Sequence, residues 1–260
     1  MSVLDRFSLR GRTALVTGGA GPQFGSSISE ALAEAGAAVV VASRSLARCQ
    51  AFAGSLQDRG LEAHALEVDI ADAASIERLR DQVLTRFGQV DVLVNSAVAI
   101  KSGSLDSQTP EDWLYSAKGN MVGLIAACKA FLPQMISRRR GSIINISSIY
   151  GVVANDPTLY EDTGMKQPPD YTFVKAGMIN FTRYLANYYG KFGVRANCIS
   201  PGGFFNNQPE PFLRRYSKRV PVGRMLNDKD VQGAVVFLAS DASEYVTGIN
   251  LMVDGGWTAL

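Results

Sequence analysis

The sequence predicts an α/β chain: a doubly wound parallel sheet of about seven strands with helices on both faces. Three observations point there. Short apolar runs alternate with longer amphipathic segments along all 260 residues. The runs are nearly continuous in Val, Ile, Leu and Ala rather than alternating with polar residues, as strands read when both faces of a sheet are covered. The first run passes through a glycine-rich turn straight into a helical pattern, the strand–turn–helix opening of such sheets.

The strands are expected at 13–18 (TALVTG), 37–43 (AAVVVAS), 63–69 (AHALEVD), 90–96 (VDVLVNS), 141–148 (GSIINISS), 194–200 (VRANCIS) and 250–256 (NLMVDGG). Helical patterns lie between them; the first, SSISEALAEAG, stops at Gly36. Two segments break the rhythm: the Pro- and Asp-rich 152–170, and 203–223. Long irregular segments in a compact domain are usually functional loops, so both are expected to wall a site. With no repeat, low-complexity tract or linker, residues 1–260 read as a single domain.

Composition narrows the function. The chain is 47% hydrophobic and 19% charged, with 26 basic and 24 acidic residues and a net charge of +2. No basic field suggests nucleic acid, and the densest basic run, Arg138–Arg139–Arg140, reads as a helix end. No apolar signal core stands at the N-terminus and no run reaches the roughly 18 apolar residues of a membrane span. Cys49, Cys128 and Cys198 are an odd set without paired spacing, read as reduced core thiols of a cytoplasmic protein. One histidine, His64, argues against a His-based metal site or a Ser-His-Asp triad, so no metal is expected.

Two stretches carry chemistry. In the turn of 15–36, glycines let a backbone approach a pyrophosphate while the helix N-terminus offers free N–H groups. Gly18, Gly21 and Gly25 are the expected phosphate-loop residues. The second strand ends in Ser43 and Arg44, where an acidic residue would otherwise accept from a ribose 2′-hydroxyl. A guanidinium there is placed to hold a 2′-phosphate, which favours NADP and leaves NAD as the alternative; otherwise Arg44 stacks on adenine or lies in solvent. Further on, Tyr171 and Lys175 stand four apart in a helical run and so share a face. A phenol titrates near pH ~10, and a nearby ammonium favours the phenolate, which would make Tyr171 a usable acid/base; otherwise the pair is a surface tyrosine beside a surface lysine.

Taken with TGGAGPQFG, VD at 68–69, VNSA at 94–97, Asn120, INISSIYG, YTFVK, SPGG at 200–203 and the terminal VDGG, the whole chain resembles the classical short-chain dehydrogenase/reductases. Its two ends are most similar to gluconate 5-dehydrogenases and other sugar-pathway oxidoreductases. The resemblance implies a Rossmann-type fold and a catalytic tetrad of Asn120, Ser148, Tyr171 and Lys175. Tyr171 is the implied general acid/base. Ser148 would bond the substrate oxygen, Lys175 would tune Tyr171 and bind the nicotinamide ribose, and Asn120 would hold a proton-relay water. It also implies Asp69 at the adenine, Asn95 at the adenosine ribose, Ile70 and Ala97 in the cofactor cleft, and Pro201 and Gly202 at the nicotinamide. A homo-oligomer, tetramer or dimer, would form through helices around 110–135 and 171–192 and the last strand.

The chain departs from that pattern in three places. The glycine turn is one residue longer, Val98 replaces a glycine after Asn95, and Ser148 and Tyr171 are about ten residues further apart than usual. The added 152–170 segment is expected beside the active site. Polar and aromatic candidates in and just before that segment and in 203–223, among them Tyr150, Tyr160, Phe204 and Asn206, suggest a polyol, sugar acid or sugar-like substrate. The alternatives are a 3-oxoacyl or other carbonyl reductase, and a non-catalytic NADP sensor or scaffold.

Overall fold

The structure is a computed structural model describing residues 2–259. All seven apolar runs are strands: β1 (Thr13–Thr17), β2 (Ala38–Ser43), β3 (Ala63–Glu67), β4 (Val92–Asn95), β5 (Gly141–Ile146), β6 (Val194–Pro201) and β7 (Asn250–Val253). They form one sheet in the order β3-β2-β1-β4-β5-β6-β7, and every pair is parallel. The order reverses between β1 and β4, the crevice where ligands bind in such sheets.

Helices α1 (Phe24–Glu34), α2 (Leu46–Gln57), α3 (Ala73–Phe87), α4 (Pro110–Ala117), α5 (Gly123–Ser137), α6 (Pro169–Tyr189), α7 (Glu210–Arg219) and α8 (Gln232–Ala239) complete the framework. Alternate strand residues feed two cores. Ala14, Val16, Val39 and Val94 pack with α1 and α8, while Leu15, Val40 and Leu93 pack with α3, α5 and α6. Both faces are thus covered, which explains the unbroken apolar runs. The helix starts follow sequence chemistry: Thr109 and Asp112 form a capping box ahead of α4, with Pro110 in its first turn.

Two expectations need correction. Segment 203–223 is not irregular throughout, because 210–219 is helix α7. Its prolines fall before and within the first turn, where a missing N–H costs nothing, and Phe212 and Tyr216 give it a buried face. Asn120 does not sit within a regular helix. Lys118–Val122 is a π turn joining α4 to α5. Pro110–Ser137, taken as one helix, meets the length and composition of a membrane span, as core helices also do, and it is interrupted by Glu111, Asp112, Lys118 and Lys129. Half of its apolar window is buried, and Leu124, Phe131 and Met135 belong to the core shared with α3.

Candidate active site

A cleft of about 640 Å³ opens at the C-terminal ends of β1, β2 and β4. It runs from Ser43, Arg44 and Arg48 past the glycine turn and Asp69–Ile70 to Ala97, Tyr171 and Lys175. The structure therefore brings ten of the expected residues into one space: Gly18, Gly21, Gly25, Ser43, Arg44, Asp69, Ile70, Ala97, Tyr171 and Lys175.

The glycine turn is fixed by contact. Gly18 has φ +69°, and a Cβ there would lie 2.8 Å from Ala97 Cα. A Cβ on Gly25 would lie 1.9 Å from the Gly18 carbonyl oxygen. Both positions require glycine, and the turn lets α1 start directly at the cleft. Among the described residues no side chain caps α1, so none competes for its first N–H groups.

At the far end of β2, Arg44 is exposed and among the described residues has no carboxylate partner. Arg48, on the first turn of α2, also lines the cleft and is equally unpaired. Sequence reading missed it; the signal was a second arginine in the first turn of the helix that follows β2. Asp69 uses a carboxylate oxygen to accept from the Ala71 N–H at 2.9 Å, which shapes the bend after β3.

At the other end, α6 places Tyr171 in its first turn and Lys175 one turn later. Lys175 is buried, and Nζ donates to the Ile146 carbonyl at 2.6 Å and sits 5.5 Å from the Tyr171 ring centroid. Burial lowers its pKa to about 8. The Tyr171 phenol moves the opposite way from the expectation: burial raises it above 10.0, the Ser148 hydroxyl offsets part, and Tyr160 adds to the rise. Burial disfavours the phenolate of Tyr171 and the ammonium of Lys175 alike, so the chain's own groups keep the phenol protonated. Ser148 lies at the end of β5, and its Oγ accepts from the Tyr150 N–H at 3.1 Å. Ser147, also missed, donates to the Lys175 carbonyl at 2.8 Å and pins α6 to β5.

Other expected residues lie elsewhere. Asn95 turns into the core, where Nδ2 donates to Asn145 Oδ1 at 2.9 Å, and Asn145 donates to Thr182 at 2.9 Å. Its side chain does not line the cleft, because the inward face of β4 at that position is buried against β5 and α6. The Asn120 side chain is committed too: Oδ1 accepts from the Ala99 N–H at 2.9 Å, and Nδ2 donates to the Ala99 and Ser116 carbonyls. Pro201 and Gly202 end β6 outside the cleft walls; the Gly202 N–H donates to Val253 at 2.9 Å. Tyr150 and Tyr160 bond each other, hydroxyl to hydroxyl, at 2.8 Å. Their rings pack on an apolar cluster of Ile149, Leu159, Phe212, Tyr216 and Trp257. Asn206 is exposed. The 152–170 segment is clamped to α7 by an Asp156–Arg219 ion pair and by Arg215 donating to the Glu161 carbonyl.

A family model described as enoyl-(acyl carrier protein) reductase matches residues 19–258. The chain belongs to the short-chain dehydrogenase/reductase family. It is 32% identical over 252 residues to a 3-oxoacyl-[acyl-carrier-protein] reductase of Haemophilus influenzae, covering 95% of this chain and 98% of that protein. It is 33% identical over 264 residues to D-threitol dehydrogenase of Mycolicibacterium smegmatis, covering 99% and 97%. Among solved structures, a gluconate 5-dehydrogenase from Burkholderia cenocepacia, in complex with NADP and tartrate, superposes with a TM-score of 0.90 at 32% identity over 100% of both chains. A short chain dehydrogenase from Leptospira borgpetersenii with bound NAD+ has a TM-score of 0.85 at 32% identity, covering 99% and 96%. This short-chain dehydrogenase/reductase is thus an oxidoreductase of the nicotinamide-dependent class that interconverts alcohols and carbonyls.

Proposed function

We propose that the protein interconverts a secondary alcohol and a ketone on a polyol, sugar acid or sugar-like substrate, with NADP as cofactor and NAD as the alternative. One observation carries this reading. A single cleft holds Tyr171 and Lys175 at one end and, at the other, Arg44 and Arg48, which have no acid partners among the described residues. Its walls fit a dinucleotide: a closely approached glycine turn, an uncapped helix start, and cations where a 2′-phosphate would end.

Gly18, Gly21, Gly25 and the α1 N-terminus would cradle the pyrophosphate. Ser43 and Arg44, joined by Arg48, would hold the 2′-phosphate. Asp69 and Ile70 would wall the adenine, Ala97 would border the adenosine ribose, and Pro201 and Gly202 would flank the nicotinamide. Asn95 would support this wall from the core. The cofactor, when bound, supplies or accepts the hydride. Tyr171 gives its proton to the carbonyl oxygen in reduction or takes one from the alcohol in oxidation. Its raised pKa keeps that proton available at neutral pH. Ser148 Oγ donates to the same oxygen, steadying the charge that develops there. Lys175 orients Tyr171 and donates to the nicotinamide ribose. Asn120, with its side chain engaged by Ala99 and Ser116, would hold a relay water only through its main chain. Tyr150, Tyr160, Phe204 and Asn206 would border the substrate.

The sugar-type reading is supported by the threitol and gluconate dehydrogenase relatives. A 3-oxoacyl reductase is the second reading, supported by the Haemophilus relative. A panel of polyols, sugar acids and 3-oxoacyl thioesters, assayed with NADPH or NADP and again with NADH or NAD, separates them. Turnover of thioesters alone sinks the sugar reading, and preference for NADH sinks the NADP assignment. Binding of NADPH with no turnover on any panel member leaves the sensor reading.

We read the chain as a single domain and as a cytoplasmic homo-oligomer, a tetramer or dimer. Leu114, Met121, Val122, Phe173 and Tyr188 on α4–α6 are exposed apolar groups that a second copy would cover. A monomeric mass by light scattering at micromolar concentration removes that reading.

A further inference from the structure

Two segments far apart in sequence meet at the rim of the cleft. The lengthened glycine turn ends in Phe24, which lines the cleft. Phe204 stands just after Gly202 and Gly203 at the end of β6. Their ring centroids are 5.2 Å apart at 75°, an edge-to-face contact. Both residues are half-buried. Each is fixed from behind by the same short stretch. Ser27, in the first turn of α1, donates to the Asp228 carbonyl. Phe204 bridges Leu226: the Phe205 N–H donates to Leu226 at 2.8 Å, and the Leu226 N–H donates to Gly203 at 2.9 Å. The Gly203 N–H is held in turn by the Tyr216 hydroxyl at 2.5 Å, which ties it to α7.

We infer that Phe24 and Phe204 form an aromatic clasp that latches the 203–223 segment onto the phosphate turn, so that cofactor leaves only when the substrate loop releases. Phe24 stands in that lengthened turn, directly before Gly25. The inference rests on the cofactor reading above and assigns positioning roles, not catalytic ones. It makes retention of cofactor a property of the substrate side: whatever orders 203–223 also slows release.

An edge-to-face ring pair corresponds to roughly a 2- to 12-fold change in a rate or equilibrium. The test is stopped-flow displacement of NADPH from the full chain, for wild type, Phe24→Leu, Phe204→Leu and the double variant. Leucine keeps apolar volume, so folding is preserved. Each single change should speed NADPH release by roughly 2- to 12-fold, and the double variant should be no faster than the faster single, because one contact is lost only once. Unchanged release, or a double effect equal to the product of the singles, overturns the clasp. A second measurement needs no cofactor: trypsin cleavage at Arg214 or Arg215 in α7. Phe24→Leu lies outside that helix and should still hasten cleavage; an unchanged rate overturns the clasp. Wild type failing to bind NADPH would remove the cofactor reading, and the proteolysis would still decide whether the two segments are latched.

Discussion

Arginines gather at both ends of the sheet, in opposite conditions. At the N-terminal end of the strands a concavity of about 1620 Å³ is lined by Arg6, Arg12, Arg138, Arg139, Arg140 and Arg195. Every one is engaged. Arg6 pairs with Glu244, Arg12 and Arg140 share Asp241, and Arg138 meets the buried Asp91. Arg139 donates to the Lys191 carbonyl, and Arg195 to those of Leu238 and Ser240. At the C-terminal end only Arg44 and Arg48 line the cleft, and neither has an acid partner among the described residues. The difference teaches that cation density does not locate a phosphate site. A guanidinium whose fork is already filled has little left to offer an anion. The three-arginine run that dominates the sequence is architecture, and the sparse pair is the available charge.

The largest effect should come from the chemical end of the open cleft. Tyr171→Phe should cut kcat by about 10²- to 10⁴-fold with NADPH affinity nearly unchanged; turnover close to wild type would remove the acid/base role. At the closed end, Arg195→Met strips partners from carbonyls in a largely buried site, so urea denaturation should show a loss of about 3 kcal/mol. The KM for NADPH should not move, and a parallel rise in KM would erase the contrast between the two ends.

Lys175 sharpens the comparison because it is a buried cation on the functional side. Its folded pKa of about 8 lies below the 10.5 of the free side chain. Between those values the unfolded chain holds the proton more firmly, so this group weakens the fold at or below pH 8, and the penalty is relieved as pH rises toward 10.5. Measured against Lys175→Met, wild type should gain up to about 3 kcal/mol across that window. A flat difference would mean the lysine is not desolvated. Arg44→Ala and Arg48→Ala should each weaken NADPH by roughly 10- to 100-fold and NADH by less than about 2-fold. Arg140→Ala, exposed on the paired side, should change stability by less than about 0.5 kcal/mol and cofactor binding not at all.

The sheet was legible because a parallel strand covered on both faces leaves an unbroken apolar run, and all seven runs are strands. That Tyr171 and Lys175 share a face was legible from helix periodicity, while their catalytic role was read from the resemblance of the whole motif set. What stayed hidden depends on tertiary direction. Asn95 ends a cleft-forming strand, yet its amide turns to Asn145, and no local pattern says which way a strand's last residue faces. Tyr150 and Tyr160 are ten positions apart, so their hydroxyl pair follows only from the docking of 152–170 on α7. Helix α7 itself reads as loop because its prolines precede or open it and its charges outnumber its two buried anchors. The rise in the Tyr171 pKa follows from burial, which spacing does not report.

The π turn at Lys118–Val122 has a consequence for chain length. It carries one residue more than an α-helical path would, so it splices two helices that are out of phase. Tyr115, before it, borders the cleft; Asn120, within it, is buried and tied to Ala99. Removing a single residue there would straighten the splice and swing everything upstream by about 100°, one helical step. Tyr115 would leave the cleft while α5 stayed in place. Alignments of related chains should therefore treat a one-residue gap in this stretch as a rotation of the cleft wall and not as a trimmed loop.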